Sequence, residues 1–114
     1  MIQFSGRDTL KQFWMFSKEE KSELANKLAI ELAGLRGKLG ASQEEIANAV
    51  GITRQTYSAC ENGIRPIPWT QFLAFLFHFD NIPSTHKMIR QLELFPTEFD
   101  ECWLAGIVMA EDNI

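Results

Sequence analysis

The sequence lacks several features that would mark a secreted, membrane or disulfide-stabilised protein. It contains only two cysteines, Cys60 and Cys102, which are too few for a disulfide framework or a zinc ligand set. No run of about 18 apolar residues occurs, so no membrane-spanning helix is expected. The N-terminus has no basic stretch followed by a long apolar run, so we expect no signal peptide and a cytoplasmic location, where thiols stay reduced.

Patterns that carry enzyme chemistry are also missing. The sequence has no glycine-rich phosphate loop and no recognisable pairing of a nucleophile with a base. His78 and His86 do not lie at metal-ligand spacing from the cysteines. We therefore predict a protein that is not an enzyme and that uses no metal or cofactor.

The chain lacks the basic excess that nucleic-acid-binding proteins usually carry, because its net charge is −4. The acidic residues are concentrated in the C-terminal part of the sequence, where residues 66–114 include two basic and seven acidic side chains. Residues 36–65 hold four basic and three acidic side chains, a local charge of +1. A DNA-binding surface in that segment would neutralise few phosphates per chain, which favours a dimer.

Material for a hydrophobic core is plentiful, since 46% of the residues are hydrophobic and nine are phenylalanine. Proline occurs only after Arg65, and strand-like alternation is rare. These patterns predict an all-α protein with a single helical domain over residues 1–114. The expected helices cover residues 8–16, 18–38, 42–50, 53–62, 69–79, 84–94 and a last stretch from 97 to about 109.

Capping residues set these boundaries. Helix N-caps are expected at Ser17, Ser42, Thr53, Ser84 and Thr97. Glu20 and Glu45 follow the first two serines by three residues, which is the spacing of a capping box. Glycines and an Asn-Gly pair are typical of helix ends, and they occur at Gly40, Gly51 and Asn62-Gly63.

The helices over residues 42–50 and 53–62 are separated only by Gly51 and Ile52. So short a turn forces a steep crossing, which is the geometry of a helix-turn-helix. Ala47 is small where the two helices would cross, and Gly51 can adopt the positive φ that the turn requires. The residues expected to fill the space beneath are Ile46, Val50, Ile52, Tyr57 and Cys60.

Three stretches stand in register with a known family: Gln43-Glu44-Glu45-Ile46-Ala47, Gly51-Ile52-Thr53-Arg54-Gln55 and Glu61-Asn62-Gly63. Together with the upstream segment Leu35 to Gly40, they resemble the Cro/CI-type (XRE) helix-turn-helix family. The resemblance covers about residues 28–79 with the motif at 42–63. It implies a lambda-repressor-like five-helix DNA-binding domain, with residues 1–27 and 80–114 as additional helical extensions.

The resemblance also implies a role for each residue of the motif. The side chains that would point into the major groove are Thr53, Arg54, Gln55 and Ser58. Arginine can bond guanine and glutamine can bond adenine through two hydrogen bonds each, and serine or threonine can bond either bases or phosphates. Gln43 would bind phosphate at a helix N-terminus. Asn62 and Arg65 would contact the DNA backbone beyond the recognition helix.

Other positions carry structural expectations. Arg36 and Glu61 match residues that form a buried ion pair in many relatives. Tyr57 is expected in the core, with a hydroxyl contact to the DNA backbone as the alternative. Cys60 is expected to be a small buried hydrophobe rather than a redox sensor. For Arg54, the alternative to DNA recognition is a merely solvated helix face.

Two functions from different classes follow. The first is a transcriptional regulator, a repressor that binds double-stranded DNA as a homodimer on a two-fold symmetric operator. The second is an antitoxin-like module that binds a partner protein through its aromatic, acidic C-terminal half. Co-purification with a small protein would favour the second function, and a symmetric DNA consensus would favour the first.

Overall fold

The computed structural model describes residues 15–100, and most of these residues are helical. The helices are α1 (Lys18–Leu39), α2 (Gln43–Val50), α3 (Arg54–Glu61), α4 (Trp69–Asp80) and α5 (Pro83–Gln91). One more helical stretch covers residues 97–100, and no strand occurs between residues 15 and 100. The predicted all-α class is therefore confirmed. Among these described helices, none combines the length and the apolar character needed to span a bilayer.

Helix α1 is the longest described helix, and the residues that bound it are those predicted. The Ser17 hydroxyl accepts a hydrogen bond from the Glu20 N–H at 3.1 Å, and the Glu20 carboxylate accepts one from the Ser17 N–H at 2.8 Å. The helix ends at Gly40, whose φ of 63° lies in the left-handed region. Its buried stripe consists of Ala25, Leu28, Leu32 and Leu35.

The core lies between α4 and helices α1, α2 and α5, and α3 packs on it through Tyr57. Phe72, Phe75 and Phe79 of α4 are fully buried, as is Tyr57 of α3. The Tyr57 and Phe75 rings meet edge-on, with centroids 5.8 Å apart. Because aromatic side chains bury large areas, this contact helps to hold α3 against α4.

Helix α4 corrects one expectation about its aromatic side chains. The run from Trp69 to Phe79 is apolar on most sides, which predicts a buried helix, yet Phe77 is 73% exposed. Successive helical residues are separated by about 100°, so Phe77 lies almost opposite Phe75, which faces Tyr57. The outer side of α4 therefore presents a large apolar group that the core does not cover.

Helix α5 begins and ends at residues other than those predicted. Ser84 was expected to cap it, but the N-cap is Ile82 and Pro83 is the first helical residue. Proline suits that position because its φ is already helical and the missing N–H would have no partner there. The helix ends at Gln91 rather than near Leu94, since Glu93 adopts a φ of 55° and Leu94 then turns into the core.

The predicted terminal helices fall largely outside the described residues. The helix expected over residues 8–16 reaches them only at Met15 and Phe16, which are not helical. Phe16 instead packs on Trp69, with ring centroids 5.4 Å apart. Thr97 is the first helical residue rather than the cap before the helix, and the stretch is helical as far as residue 100. The rest of that prediction, with Cys102, lies outside the described residues.

Candidate nucleic-acid interface

The turn between α2 and α3 has the short, steep form that its sequence predicts. Ser42 caps α2 with a complete capping box, and Gly51 ends the helix with a φ of 80°. The Ile52 N–H donates to the Ala47 carbonyl at 3.0 Å, which closes the turn directly onto α2. Ala47 is fully buried. A larger side chain at this position would separate the two helices.

Helix α3 has one buried and one exposed side. Tyr57 and Cys60 are fully buried, while Arg54 and Gln55 are exposed at the first turn of the helix. Ser58 lies one turn further along and is half-buried. The helix is therefore anchored by its inner residues and presents to solvent the polar groups of its N-terminal half.

Thr53 is the N-cap of α3, and its hydroxyl is already engaged within the protein. It accepts a hydrogen bond from the Thr56 N–H at 3.1 Å and donates one to the Thr56 hydroxyl at 2.9 Å. A hydroxyl has one hydrogen to donate. In this conformation Thr53 could therefore only accept a further hydrogen bond from a DNA base.

The C-terminal end of α3 is closed by the predicted Asn-Gly pair. Asn62 is the C-cap, and its amide donates to the Ser58 hydroxyl at 3.3 Å. Gly63 adopts a φ of 72°, after which the Ile64 N–H donates to the Ala59 carbonyl at 2.9 Å. Arg65 follows this turn and is exposed.

Arg36 and Glu61 form the ion pair that the resemblance implies. Two hydrogen bonds join the guanidinium to the carboxylate, Nε to Oε2 at 3.0 Å and Nη2 to Oε1 at 2.8 Å. Arg36 Nη1 also donates to the Ala41 carbonyl at 3.1 Å, and Gln43 Nε2 donates to Glu61 Oε1 at 3.4 Å. The pair thus connects the end of α1, the start of α2 and the end of α3.

The hydrogen bonds of this pair alter the ionisation of both partners. Those donated by Arg36 hold the pKa of Glu61 below its ordinary range, although burial of the carboxylate opposes the shift. Those accepted by Glu61 raise the pKa of Arg36. The Glu61 side chain is only 7% exposed, so this charge is stabilised mainly by protein groups rather than by water.

Residues 27–79 match the family model of a helix-turn-helix domain. The match covers slightly less than half of the 114 residues and includes α2, α3 and the turn between them. No curated protein and no solved structure was found to match the chain. The match supports a helix-turn-helix domain in general, and the finer resemblance to the Cro/CI type stays a prediction.

Within the helix-turn-helix domain, Tyr57 is a core residue. Its side chain is fully buried, and burial raises the pKa of its phenol. The alternative in which its hydroxyl contacts the DNA backbone is therefore wrong, because the hydroxyl lies beneath the helix rather than on its surface. Cys60 is likewise a buried free thiol with a pKa raised by burial, as expected of a structural cysteine.

The predicted site residues fall into three places on the helix-turn-helix domain. Thr53, Arg54, Gln55 and Ser58 belong to the N-cap and first turns of α3. Gln43 is the first residue of α2 and is half-buried through its contact with Glu61. Asn62 and Arg65 flank the turn after α3. The guanidinium groups of Arg54 and Arg65 form no hydrogen bond or ion pair with another residue between 15 and 100, so both are available to a ligand.

A second polar cluster lies outside the helix-turn-helix motif, at residues that no sequence pattern marks. Arg90 of α5 donates to both carboxylate oxygens of Asp80 at 3.1 and 3.0 Å and also bonds Asp100. His86 Nδ1 lies 2.8 Å from an Asp80 carboxylate oxygen. Ten residues separate Arg90 from each aspartate, a spacing that gives no local signal. Between residues 15 and 100, no group of acidic, histidine or cysteine side chains is arranged to hold a metal ion.

Proposed function

We propose that this protein binds double-stranded DNA through α3 and regulates transcription as a Cro/CI-type repressor. The observation that carries the proposal is the exposed pair Arg54 and Gln55 at the first turn of a helix whose inner side is fully buried. A rigidly held helix that presents an arginine and a glutamine from its N-terminal turn suits base recognition in the major groove.

The chemistry of these two side chains suggests what they recognise. The Arg54 guanidinium has no partner among residues 15–100 and would donate two hydrogen bonds to O6 and N7 of guanine. The Gln55 amide would donate to N7 and accept from N6 of adenine. Ser58 would add a contact to a neighbouring base or phosphate, and Thr53 would accept a hydrogen bond from the amino group of a base.

Backbone contacts would fix the register of the helix on the duplex. Gln43 begins α2, where free N–H groups and the helix dipole favour a phosphate. Its amide nitrogen carries a second hydrogen besides the one directed at Glu61, and that hydrogen could reach the phosphate. Asn62 and Arg65 would hold the opposite end of the recognition helix.

A homodimer is part of the proposal because one chain presents little positive charge. The segment from residue 36 to residue 65 has a local charge of +1. Affinity for DNA grows steeply with the number of phosphates neutralised, so two copies on adjacent half-sites would bind far more tightly than one. A dimer would read half-sites about one helical turn apart on a two-fold symmetric operator.

Selection of bound sequences from a random duplex DNA pool tests the proposal. The expected result is an enriched consensus with two-fold symmetry and half-sites about 10 base pairs apart. The double variant Arg54→Ala/Gln55→Ala is the matched control, since both side chains are exposed and their loss should leave the fold intact. If the wild-type chain and this variant enrich the same sequences, α3 does not read DNA.

A further inference from the structure

Ile64 is a large apolar residue at the end of the helix-turn-helix motif that the core does not cover. It is 79% exposed and follows the turn that closes α3. A single exposed apolar residue is ordinary on a protein surface, so its position decides whether it has a role. Ile64 lies in the sequence between Asn62 and Arg65, the two residues proposed to contact the DNA backbone. It is therefore continuous with the proposed DNA interface.

The hydrogen bonds at the end of α3 bring Ile64 back to Ala59. The Gly63 N–H donates to the Cys60 carbonyl at 3.2 Å, and the Ile64 N–H donates to the Ala59 carbonyl at 2.9 Å. This is the Schellman pattern of a helix end, in which the residue at the position of Ile64 commonly packs on an apolar side chain in the last turn of the helix. Here that turn offers Ile64 only the methyl group of Ala59 and the hydroxymethyl group of Ser58, so Ile64 stays exposed.

Ala59 lies on the outer face of α3, which is the face turned away from the core. Gln55 and Ala59 each lie about 160° around the helix from Tyr57, which is fully buried. Because they are four residues apart, Gln55 and Ala59 are neighbours on that face. The outer face therefore carries an amide in its first turn and a methyl group in the next, with the exposed Ile64 at its end.

The major groove of DNA offers one apolar group to such a pair of residues. Each base pair displays hydrogen-bonding atoms there, and thymine adds the methyl group on its C5 atom. The side chains of Ala59 and Ile64 can neither donate nor accept a hydrogen bond. They would therefore contribute to recognition by removing apolar surface from water, and Ile64 still exposes that surface in the free protein.

We infer that Ala59 and Ile64 form an apolar site for the C5-methyl group of a thymine in the major groove. Four residues of α-helix rise about 6 Å, and stacked base pairs are about 3.4 Å apart, so this thymine lies within one or two base pairs of the base that Gln55 contacts. The inference rests on the proposed function. It adds recognition of a base by two residues that make no polar contact with DNA through their side chains.

Deoxyuridine in place of thymine tests the inference, because it removes the methyl group and leaves base pairing intact. Each thymine of the DNA sequence selected by the wild-type chain is replaced in turn, and fluorescence anisotropy measures the affinity of the full chain for each duplex. At one position in each half-site the replacement should weaken binding about fourfold, the effect expected for one buried methyl group. If no replacement weakens binding, the inference is overturned.

Protein variants then identify the side chains that contact the methyl group. Ile64→Ser and Ala59→Ser should each weaken binding to the selected duplex and reduce the effect of deoxyuridine at the sensitive position. Ile30→Ser is the matched control, since Ile30 is 78% exposed but lies on α1, outside the helix-turn-helix motif. It should retain the full effect of deoxyuridine. An equally full effect in Ile64→Ser and Ala59→Ser would assign the methyl contact to other residues and reject the inference.

5-Methylcytosine provides an independent measurement, because it carries the same methyl group on a different base. A duplex with a C·G pair at the sensitive position is compared with the same duplex in which that cytosine is methylated. The wild-type chain should bind the methylated duplex about fourfold more tightly, and Ile64→Ser should bind the two duplexes with similar affinity. Equal binding of both duplexes by the wild type would contradict an apolar site for the methyl group.

The same measurements separate failure of this inference from failure of the proposed function. Sequence-specific binding that the double variant Arg54→Ala/Gln55→Ala abolishes, but that deoxyuridine leaves unchanged at every thymine, would reject the methyl site and leave the proposed function intact. A wild-type chain without any sequence preference would reject DNA recognition by α3 itself, and the methyl site with it.

Discussion

Arg36 and Glu61 bind each other through two parallel hydrogen bonds, although 25 residues separate them in the sequence. Arg36 lies in the last turn of α1 and Glu61 is the last residue of α3. Gln43, at the start of α2, bonds the same carboxylate. The pair therefore joins the end of α3 to the end of α1 and the start of α2.

Glu61→Ala should strongly destabilise the domain. Removal of the carboxylate leaves the Arg36 guanidinium without its partner, and breaking a buried pair in this way costs about 3–5 kcal/mol. We expect the lower end of that range, because the Arg36 side chain is 26% exposed. Urea unfolding followed by circular dichroism measures the effect. Glu44→Ala, an exposed position in the first turn of α2, should change stability by less than about 1 kcal/mol; equal losses would refute a special role for Glu61.

The same pair predicts how stability changes with acidity. The pKa of Glu61 is lower in the folded protein than its ordinary value of 4.5, chiefly because Arg36 donates hydrogen bonds to the carboxylate. Its contribution is therefore fully present above that ordinary value and is lost as the pH falls through the lower, folded value. Glu61→Gln should be less stable than wild type at neutral pH and lose less stability on acidification. Unfolding free energies that fall in parallel for both proteins would contradict this assignment.

Arg54→Ala should weaken DNA binding by about 1–3 kcal/mol and relax the preference at one base position. The loss follows from removing a side chain that would contact guanine and that has no partner among residues 15–100. Fluorescence anisotropy with the selected operator, and with each single-base change, measures both effects. An unchanged base preference in the variant would show that Arg54 reads no base.

Arg65→Ala should act differently, because its expected contact is with phosphate. Binding should weaken by a similar factor on every sequence, and the slope of log affinity against log salt concentration should fall by about one. Titrations at several salt concentrations with specific and unrelated duplexes provide the measurement. Lys18→Ala, at the distant start of α1, is the control and should leave the slope unchanged.

Replacing Gly51 and replacing Gly37 by alanine should change the stability of the domain in opposite directions, although both positions have space for a Cβ. A Cβ at Gly51 or at Gly37 would meet nothing within 4 Å, but Gly51 has a φ of 80° whereas Gly37 lies within α1. Gly51→Ala should destabilise the domain by about 1–2 kcal/mol because of its left-handed conformation. Gly37→Ala should stabilise it by about 0.5–1 kcal/mol. Thermal unfolding of both variants checks the contrast, and the same sign for both would show that backbone conformation does not dominate.

The residues that end and begin helices within the motif were predictable because their signals are local. Ser42 and Glu45 satisfy each other across three residues, and Gly51 supplies a conformation that the turn itself requires. The same kind of local signal predicts the wrong N-cap at Ser84, because Pro83 is better suited to the first helical position and α5 begins there instead. Such competition between neighbours is not resolved by a capping rule applied to one residue at a time.

Features that depend on tertiary contacts could not be derived from local pattern. The hydrophobic run of α4 predicts burial but not which side chain is left uncovered, so the exposure of Phe77 appears only once α4 is packed against Tyr57. The bonds from Arg90 to Asp80 and Asp100 join segments that meet only in the folded chain. The Arg36–Glu61 pair was anticipated from resemblance alone, since its partners are equally remote in sequence.

The burial of Cys60 beneath α3 gives the domain an internal reporter of its own opening. A thiol-modifying reagent can reach the sulfur of Cys60 only when α3 moves away from the core. The rate at which Cys60 is labelled, measured by mass spectrometry, therefore reports how often α3 opens. Duplex DNA bound to the outer side of the helix would slow labelling without touching the sulfur. The labelling rate of the Cys60 sulfur, on the buried side of α3, could then be used to compare the affinity of the protein for different DNA sequences.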